Sequence, residues 1–236
     1  MGSCAEACAV EHGISREAQD AFAVESYARA LAAADLHAKE MVSVEIPGRR
    51  GATTVVSVDE EPAPADLAKM AKLRPAFSRE ANASVTAANS SKINDGGAAF
   101  ILMSADEAKA RGITPLARIL GYADAEQEPV QFTTAPAKAV PIALERAGLA
   151  ASDVHAHEIN EAFSVVSLVN AQLLGLDLAD VNVHGGAVAM GHPIGCSGAR
   201  ILGSLMTVLE ARDQTVGVAS ICNGGGGASA VAIERI

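Results

Sequence analysis

The sequence predicts a layered α/β fold, and three observations support that prediction. Short runs rich in Val, Ile and Ala alternate with helical segments through the second half of the chain. Half of the residues are hydrophobic while only 3% are aromatic, which suits small side chains packed between helices and a sheet. The 236 residues are enough for one large or two small domains with a substantial core.

The first part of the chain predicts one helix followed by an irregular excursion. The helix runs from about Ser15 to Ala33, because Ser15 is a suitable N-cap and Ile14 can pack as a hydrophobic staple. Strand-like runs follow at Val42–Ile46 and Thr53–Val58, with Pro, Gly and charged residues between them. This excursion is typical of a lid or subdomain rather than of a core.

The remainder alternates strands with helices. The predicted strands are "AAFILM" (98–103), "PLARILGYAD" (115–124), "SDVHAHEIN" (152–160), "DVNVHGG" (180–186), "TVGVASIC" (215–222) and "ASAVAIERI" (228–236). The predicted helices are "SADEAKARG" (104–112), "APAKAVPIALERAG" (135–148), "EAFSVVSLVNAQLLG" (161–175) and "SGARILGSLMTVLEARD" (197–213). Gly112, Gly148 and Gly175 are the predicted ends of the first three helices.

Charge and composition exclude several classes of protein. A net charge of −10 argues against a general nucleic-acid binder, while leaving room for a local basic pocket for a small anion. No run approaches the roughly 18 apolar residues of a membrane span, and the N-terminus lacks the regions of a signal peptide. The four cysteines form no disulfide framework, which favours a reducing compartment. His155 and His157 lack accompanying Cys or Asp ligands, so no metal site is predicted.

Three short segments stand at predicted strand ends or helix starts, where sheets of this kind place their chemistry: "NEAF" (160–163), "GHPIGCSGA" (191–199) and "CNGGGG" (222–227). Each has a plain structural interpretation when taken alone. Asn160 can be a helix cap, His192 a structural residue in a helix-entry loop, and Cys222 a small buried residue beside a generous hairpin.

Together, the three segments indicate a chemistry that none of them indicates alone. A cysteine can move a proton, and a neighbouring histidine can lower its pKa or donate to an oxyanion. An asparagine can hold a water or a carbonyl oxygen, and glycine backbone offers N–H groups to a developing negative charge. This set of groups is suited to carbanion or enolate chemistry on an acyl group.

The order and spacing of these segments resemble the three C-terminal signatures of the thiolase family. Further likeness to acetyl-CoA C-acetyltransferases of that family, plant cytosolic forms above all, covers the whole chain through "MGSCAEACA", "ISREAQDAFAVES", "KLRPAF", "VTAANSSKINDGGAA" and "QFTTAPA". The resemblance implies the thiolase-like layered αβαβα fold. It also implies a reversible Claisen condensation of two acetyl-CoA molecules to acetoacetyl-CoA and coenzyme A, through a cysteine acyl-enzyme.

The resemblance assigns roles to four residues. Cys222 matches the acid/base that removes a proton from the acetyl methyl group, and Gly224 matches the glycine that lends its N–H to an oxyanion hole. His192 matches the histidine that activates the nucleophilic cysteine and helps bind the thioester oxygen. Asn160 matches the asparagine that holds a water in the same hole.

Substrate contacts are also implied by the resemblance. The residues that match contacts to the pantetheine arm or acyl pocket are Met1, Met70, Phe77, Ala87, Ser91, Phe132 and Phe163. For the apolar ones, ordinary core packing is the alternative. An arginine that some relatives use near the adenine and phosphate has no clear match here, and Lys69 or Lys72 is a candidate substitute. Phe132 implies a narrow pocket suited to acetyl or acetoacetyl groups.

The family's nucleophilic cysteine has no match in this chain. Thiolases carry it in an N-terminal half, followed by Ser-Gly or a similar pair; "GCSGA" around Cys196 imitates that motif but lies in the histidine loop, and Cys4 and Cys8 do not match. The chain thus resembles the later part of a thiolase. Residues 1–105 are predicted to hold the loop domain and the end of the N-terminal domain, and residues 106–236 the C-terminal domain.

Other implications of the resemblance concern partners, cofactors and location. The substrates are acetyl-CoA, acetoacetyl-CoA and coenzyme A; no metal or resident cofactor is expected, although a monovalent cation is compatible. The resemblance implies a homo-oligomer, either a dimer or a tetramer, and a place in lipid metabolism and the mevalonate pathway. It also implies a cytoplasmic location, with mitochondria and peroxisomes left open. The C-terminal "ERI" is not a peroxisomal signal. The alternatives are a non-catalytic acyl-CoA-binding chain and, less favoured, a decarboxylating condensing enzyme of related fold, which would lack the cysteine of "CNGGGG".

Overall fold

The structure is a computed structural model that describes residues 1–62 and 66–236. Its helices are α1 (Gly2–Glu11), α2 (Arg16–Ala32), α3 (Ala34–Glu40), α4 (Leu67–Met70), α5 (Ala105–Ala110), α6 (Pro136–Ala147), α7 (Ser164–Leu174), α8 (Ala187–Met190) and α9 (Ser197–Ala211). Its strands are β1 (Val44–Pro47), β2 (Thr53–Val56), β3 (Ala117–Glu126), β4 (Ala156–Ile159), β5 (Val216–Cys222) and β6 (Gly227–Arg235).

The C-terminal part is a mixed four-stranded sheet in the order β3-β6-β5-β4. β4 runs parallel to β5, while β6 is antiparallel to both of its neighbours. Successive residues of β5 point to opposite faces: Val218 belongs to a buried cluster with α6, and Ala219 to one with α9. The sheet therefore has α6 on one face and α9 on the other, which confirms the predicted layered α/β fold.

Small residues allow α6 to lie very close to the sheet. A Cβ atom built on Gly121 of β3 would be 2.5 Å from the carbonyl oxygen of Ala143 in α6. The register of β3 against β6 shifts between Ile119 and Gly121. The strand thus needs glycine at this point because a helix backbone occupies the space of a side chain.

The N-terminal part packs its helices against the polypeptide around the C-terminal sheet. Tyr27 and its α2 neighbours share a buried cluster with Val188 and Met190 of α8. The carboxylate of Glu6 in α1 accepts hydrogen bonds from the backbone N–H groups of Ser84 and Val85 at 2.8 and 3.0 Å. β1 and β2 form a separate two-stranded antiparallel hairpin whose residues are exposed.

Several elements follow their sequence signals. Ser15 caps α2 by accepting a hydrogen bond from the Ala18 N–H at 3.2 Å. Gly112, Gly148 and Gly175 all have positive φ angles at the helix ends predicted for them. The long helix predicted from Ser197 and the closing pair of strands are also present.

Other predictions were wrong. "AAFILM" is no strand: residues 98–103 are exposed, and no strand of the described residues pairs with them. "DVNVHGG" makes a single bridge, from Val181 to His157, before Asn182 (φ 49°) turns the chain away. α1 was not predicted, because its residues carry no clear helical periodicity. None of the helices in the described residues is long and apolar enough to cross a bilayer.

Candidate active site

The three sequence segments meet at the edge of the sheet where β4 and β5 end. Asn160 follows β4 directly, and its N–H donates to the carbonyl of Ser220 in β5 at 2.9 Å. Cys222 is the last residue of β5. His192 lies in the loop between α8 and α9, with its Nε2 atom 3.3 Å from Nδ2 of Asn160. Residues far apart in sequence thus converge because parallel neighbours end at one edge.

Asn160 is not a helix cap. α7 begins four residues later, at Ser164, with Phe163 in the N-cap position. The next residue, Glu161, fixes this segment: its buried carboxylate accepts hydrogen bonds from Ser26 Oγ, Asn182 Nδ2 and the Val188 N–H at 2.8–2.9 Å. Burial raises the pKa of Glu161, while these hydrogen bonds oppose that rise. The glutamate of "NEAF" therefore ties α2 and α8 to the asparagine.

The histidine loop is held by a segment from the first part of the chain. The His192 N–H donates to the carbonyl of Lys92 at 2.8 Å. Gly191 has φ 82°, and a Cβ atom there would lie 2.5 Å from Oδ1 of Asn94. Gly191 is required both by its backbone conformation and by this contact. The resulting loop presents the imidazole to Asn160.

Burial and the nearby positive charge of Arg200 both lower the pKa of His192. The imidazole is therefore neutral at neutral pH and able to accept a proton. On its other side, Nδ1 lies 2.6 Å from Oγ of Ser197 at the start of α9.

Cys222 is a buried thiol in the resting site. It belongs to the same buried cluster as Phe132 and Phe163. Desolvation raises the pKa of Cys222 to about 12, so the group holds its proton at neutral pH. A thiol so placed needs a positive charge beside it before it can act as a base.

The glycine loop after Cys222 leaves one backbone donor free. The N–H groups of Asn223, Gly225, Gly226 and Gly227 all bond within the loop. The N–H of exposed Gly224 has no acceptor among the described residues. A Cβ atom on Gly226 would lie 2.2 Å from the carbonyl of Gln127. The additional glycines thus allow a tight, self-bonded loop that presents a single donor outward.

Four of the predicted contact residues lie beside these groups. Gly224 faces the sulfur of Met1, 3.2 Å from its would-be Cβ. Phe77 packs edge-to-face on Phe163, with centroids 5.9 Å apart. The Ser91 hydroxyl donates to the carbonyl of Ala162 at 2.9 Å.

The other three predicted contacts differ among themselves. Phe132 is completely buried in the cluster that holds Cys222. Ala87 is exposed. Met70 is buried among residues of α2 and α8, which is the core-packing arrangement. Of the candidate phosphate contacts, Lys69 is paired with Asp66 at 2.6 Å. The described residues contain no group of three or more His, Cys, Asp and Glu placed to hold a metal ion.

Sequence reasoning missed the residues that hold the site together. Glu161, Asn94 and Ser197 all lie within quoted motifs but received no role. A glutamate directly after Asn160 in a buried strand end is a usable signal, since an acidic residue there must be paired. The positions of Asn94 and Ser197 depend on tertiary contacts that no local pattern contains.

Comparison with known proteins places these features in a family. Residues 1–106 match the family domain described as "Thiolase, N-terminal domain", and residues 113–235 match "Thiolase, C-terminal domain". The chain is 54% identical to "Acetyl-CoA acetyltransferase 1" of Arabidopsis thaliana over 99% of its own length and 57% of the relative's. It is 50% identical to "Acetyl-CoA acetyltransferase" of Schizosaccharomyces pombe, covering all of this chain and 60% of that protein.

Solved structures agree with this similarity. The acetyl-CoA acetyltransferase of Bacillus anthracis superimposes with a TM-score of 0.96 at 42% identity, over all of this chain and 60% of the other. A thiolase from Ascaris suum in complex with coenzyme A gives a TM-score of 0.88 at 40% identity, with the same coverage. The fold and the site define a layered α/β protein that brings a histidine, an asparagine and a cysteine to one edge of its sheet. The chain belongs to the thiolase family, and it spans a little under two thirds of the length of these relatives.

Proposed function

We propose that this chain is the acid/base and oxyanion-binding part of an acetyl-CoA C-acetyltransferase, which condenses two acetyl-CoA to acetoacetyl-CoA and coenzyme A and catalyses the reverse cleavage. The observation that supports it best is the sheet edge where the His192–Asn160 pair follows β4, the buried Cys222 thiol ends β5, and the Gly224 N–H has no acceptor among the described residues. That edge offers a base, a proton carrier and oxyanion donors, which are the needs of enolate chemistry on a thioester.

The first half of the reaction forms an acyl-enzyme on a cysteine outside this chain. His192 Nε2 takes the proton of that thiol, whose sulfur attacks the carbonyl carbon of acetyl-CoA. The carbonyl oxygen becomes an oxyanion, stabilised by the Gly224 N–H. When the tetrahedral intermediate collapses, it expels the coenzyme A thiolate, which takes the proton of Cys222. The imidazolium now on His192 lowers the pKa of Cys222 and so stabilises its thiolate.

The second half forms the carbon–carbon bond. The Cys222 thiolate removes a proton from the methyl group of a second acetyl-CoA, and the enolate attacks the acyl carbon. His192, with the water that Asn160 holds, stabilises the oxygen of the enolised thioester. The tetrahedral adduct releases acetoacetyl-CoA, and the departing cysteine thiolate recovers its proton from His192. All protons are thereby returned to their original groups.

Further parts of the proposal concern the surroundings of the site. Met1, Phe77, Ser91, Phe132 and Phe163 contact the pantetheine arm or the acyl group. Met70 and Ala87 are proposed on the family match alone, and Lys69 or Lys72 meets a phosphate of coenzyme A. The domain boundary lies at residues 105/106. The complete protein is a homo-oligomer, dimer or tetramer, of the cytoplasmic mevalonate pathway; among its relatives, names include both cytosolic and mitochondrial forms.

A fusion tests the proposed activity. The N-terminal region of the Arabidopsis relative, joined ahead of this chain, should cleave acetoacetyl-CoA in the presence of coenzyme A. The chain alone should not, because no group in it forms the acyl-enzyme. His192→Ala in the active fusion should weaken both acyl-enzyme formation and condensation. Turnover by the chain alone, or normal acylation in the His192→Ala fusion, would contradict these assignments.

A non-catalytic acyl-CoA-binding role is the second candidate. It is favoured only by the lack of a matching nucleophile in this chain. The same fusion separates the two roles: binding of coenzyme A without turnover in any combination supports the binding role.

A further inference from the structure

The two ring nitrogens of His192 have different partners, and these partners determine where the proton sits. We infer that Ser197 is a positioning residue that holds His192 in the tautomer protonated on Nδ1, so that Nε2 carries a lone pair on the side of Asn160. The use of Nε2 as a base rests on the proposed function, whereas the tautomer itself follows from the contacts around the ring.

Ser197 meets the ring on the Nδ1 side. It is the first residue of α9 and is completely buried. Its Oγ lies 2.6 Å from Nδ1 of His192 and 3.0 Å from the carbonyl oxygen of Pro193. A carbonyl oxygen can only accept, so the hydroxyl hydrogen points to Pro193. The lone pairs of Oγ then receive a hydrogen from Nδ1.

Asn160 meets the ring on the other side. Its Nδ2 group, which can only donate, lies 3.3 Å from Nε2, and its Oδ1 atom is buried without a partner in the described part of the chain. This arrangement requires a lone pair on Nε2, which agrees with a proton on Nδ1. The Ser197 side thus assigns the tautomer, and the orientation of the Asn160 amide agrees with it.

The opposite tautomer leaves a poorer set of hydrogen bonds. It needs the Ser197 hydroxyl to turn away from Pro193 and the Asn160 amide to rotate, so that Oδ1 accepts from a protonated Nε2. Both hydrogens of the buried Nδ2 group would then lack an acceptor. Buried N–H groups without acceptors are rarer in proteins than carbonyl oxygens without donors, which favours the first arrangement.

The tautomer has a direct consequence for reactivity. Only an unprotonated Nε2 can take a proton from a thiol that enters beside Asn160. If Ser197 is replaced by a residue without an acceptor, the Nδ1–H group loses its partner in a buried site. The ring then gains the opposite tautomer, which carries its hydrogen on the nitrogen that must act as base.

Solid-state nitrogen NMR of the 236-residue chain tests the inference without any need for activity or for a monomeric sample. Histidine is labelled with ¹⁵N at both ring positions, and the His192 signals are identified by their loss in His192→Gln. At neutral pH the unsubstituted chain should show one protonated nitrogen, Nδ1, and one unprotonated nitrogen, Nε2. Ser197→Ala should move the ratio of the two tautomers by about tenfold toward protonated Nε2, the weight of one neutral hydrogen bond.

Two further variants serve as controls. Ser197→Thr retains the hydroxyl and should keep the original tautomer. Ser204→Ala removes another buried hydroxyl of α9, one that bonds Glu40 at 3.2 Å, and should leave the His192 signals unchanged. A protonated Nε2 in the unsubstituted chain, or an unchanged ratio in Ser197→Ala, would overturn the inference. An inactive fusion would contradict the proposed function but would not move these signals.

Discussion

At the scale of single residues, Cys222 carries the most specific chemical prediction. Replacing it with serine preserves its shape, but a hydroxyl is a far weaker acid than a thiol and cannot form the anion that removes a methyl proton. In the active fusion, Cys222→Ser should lower condensation by about 10²–10⁴-fold. Labelling by radioactive acetyl-CoA should fall much less, because coenzyme A leaves as a fairly stable thiolate.

Measuring condensation and acetyl labelling on the same preparation shows whether Cys222 is a proton carrier or a packing residue. Cys8→Ser is a matched control, since Cys8 is a second thiol of the same buried cluster. It should cost some stability and leave the ratio of condensation to labelling unchanged. Equal loss of both steps in Cys222→Ser, or loss of neither, would rule out the proton-carrier role.

Buried His157 should make the free energy of unfolding depend on pH in the acid range. Burial lowers the pKa of His157 to about 4, and the negative charge of Asp180 only partly opposes this. A depressed pKa means that the neutral form is favoured in the folded state. The stabilisation that comes from burying neutral His157 is fully present above pH 6.5, the ordinary pKa of histidine. It is lost as the pH falls toward 4. His157 therefore makes the folded chain acid-sensitive in this window.

Denaturant unfolding at several pH values measures this effect. The free energy of unfolding attributable to His157 should fall by up to about 3 kcal/mol between pH 6.5 and 4. His157→Gln should remove that dependence, and subtracting the two curves cancels the titration of other groups, including Glu158, whose pKa burial raises. Parallel curves for the two proteins would show that His157 is not buried in its neutral form.

At the scale of elements, the histidine loop offers a test with an internal control. Gly191→Ala places a Cβ against Asn94 and imposes a strained positive φ. It should lower the free energy of unfolding by about 1–3 kcal/mol and displace His192. Gly195→Ala, in the same loop, meets no atom within 4 Å and should change stability by less than about 0.5 kcal/mol. Similar effects of the two changes would show that the loop is not clamped.

Elements with strong local signals were predictable from sequence. α2, α6 and α9 have clear caps, closing glycines or apolar periodicity, and their bounds were close to those predicted. The strand at 98–103 was wrong because an apolar run forms a strand only if another strand is available to pair with it. The strand at 180–186 was wrong because a left-handed Asn182 follows the first bridge.

The candidate site was predictable in its chemistry but not in its supports. His192, Cys222 and Asn160 are recognisable because reactive side chains and glycines occur together in short motifs. The contact of Ser197 with His192 spans 5 positions of the sequence, and that of Glu161 with Ser26 spans 135. The sequence can indicate that a buried glutamate needs partners, but the identity of those partners follows only from the three-dimensional arrangement.

At the scale of the whole molecule, the site is built from both parts of the chain. Met1, Phe77 and Lys92 come from the first part, and they lie against Gly224, Phe163 and His192 of the second. The first part is therefore needed to shape the site rather than being an independent appendage. Its α2 helix also supports the short α8 helix that leads into the histidine loop.

At this scale, one exposed apolar segment should make the chain self-associate at high concentration. Residues 98–103, "AAFILM", are apolar and exposed, no strand among the described residues pairs with them, and Ile101 is 88% exposed. An unpaired, exposed apolar segment favours pairing with another copy. We expect the chain alone to self-associate at micromolar concentration, with a mass in sedimentation or light scattering above its own 24.0 kDa.

Charged substitutions in this segment test that expectation. Introducing Ile101→Lys and Leu102→Lys together should move the measured mass toward that of the monomer, because two buried charges would be required in any paired copy. Val10→Lys, at an exposed apolar position in α1, adds charge elsewhere and should not have this effect. A monomeric chain at all concentrations would contradict the expectation. Equal solubilisation by Val10→Lys would show that net charge, rather than this segment, controls association.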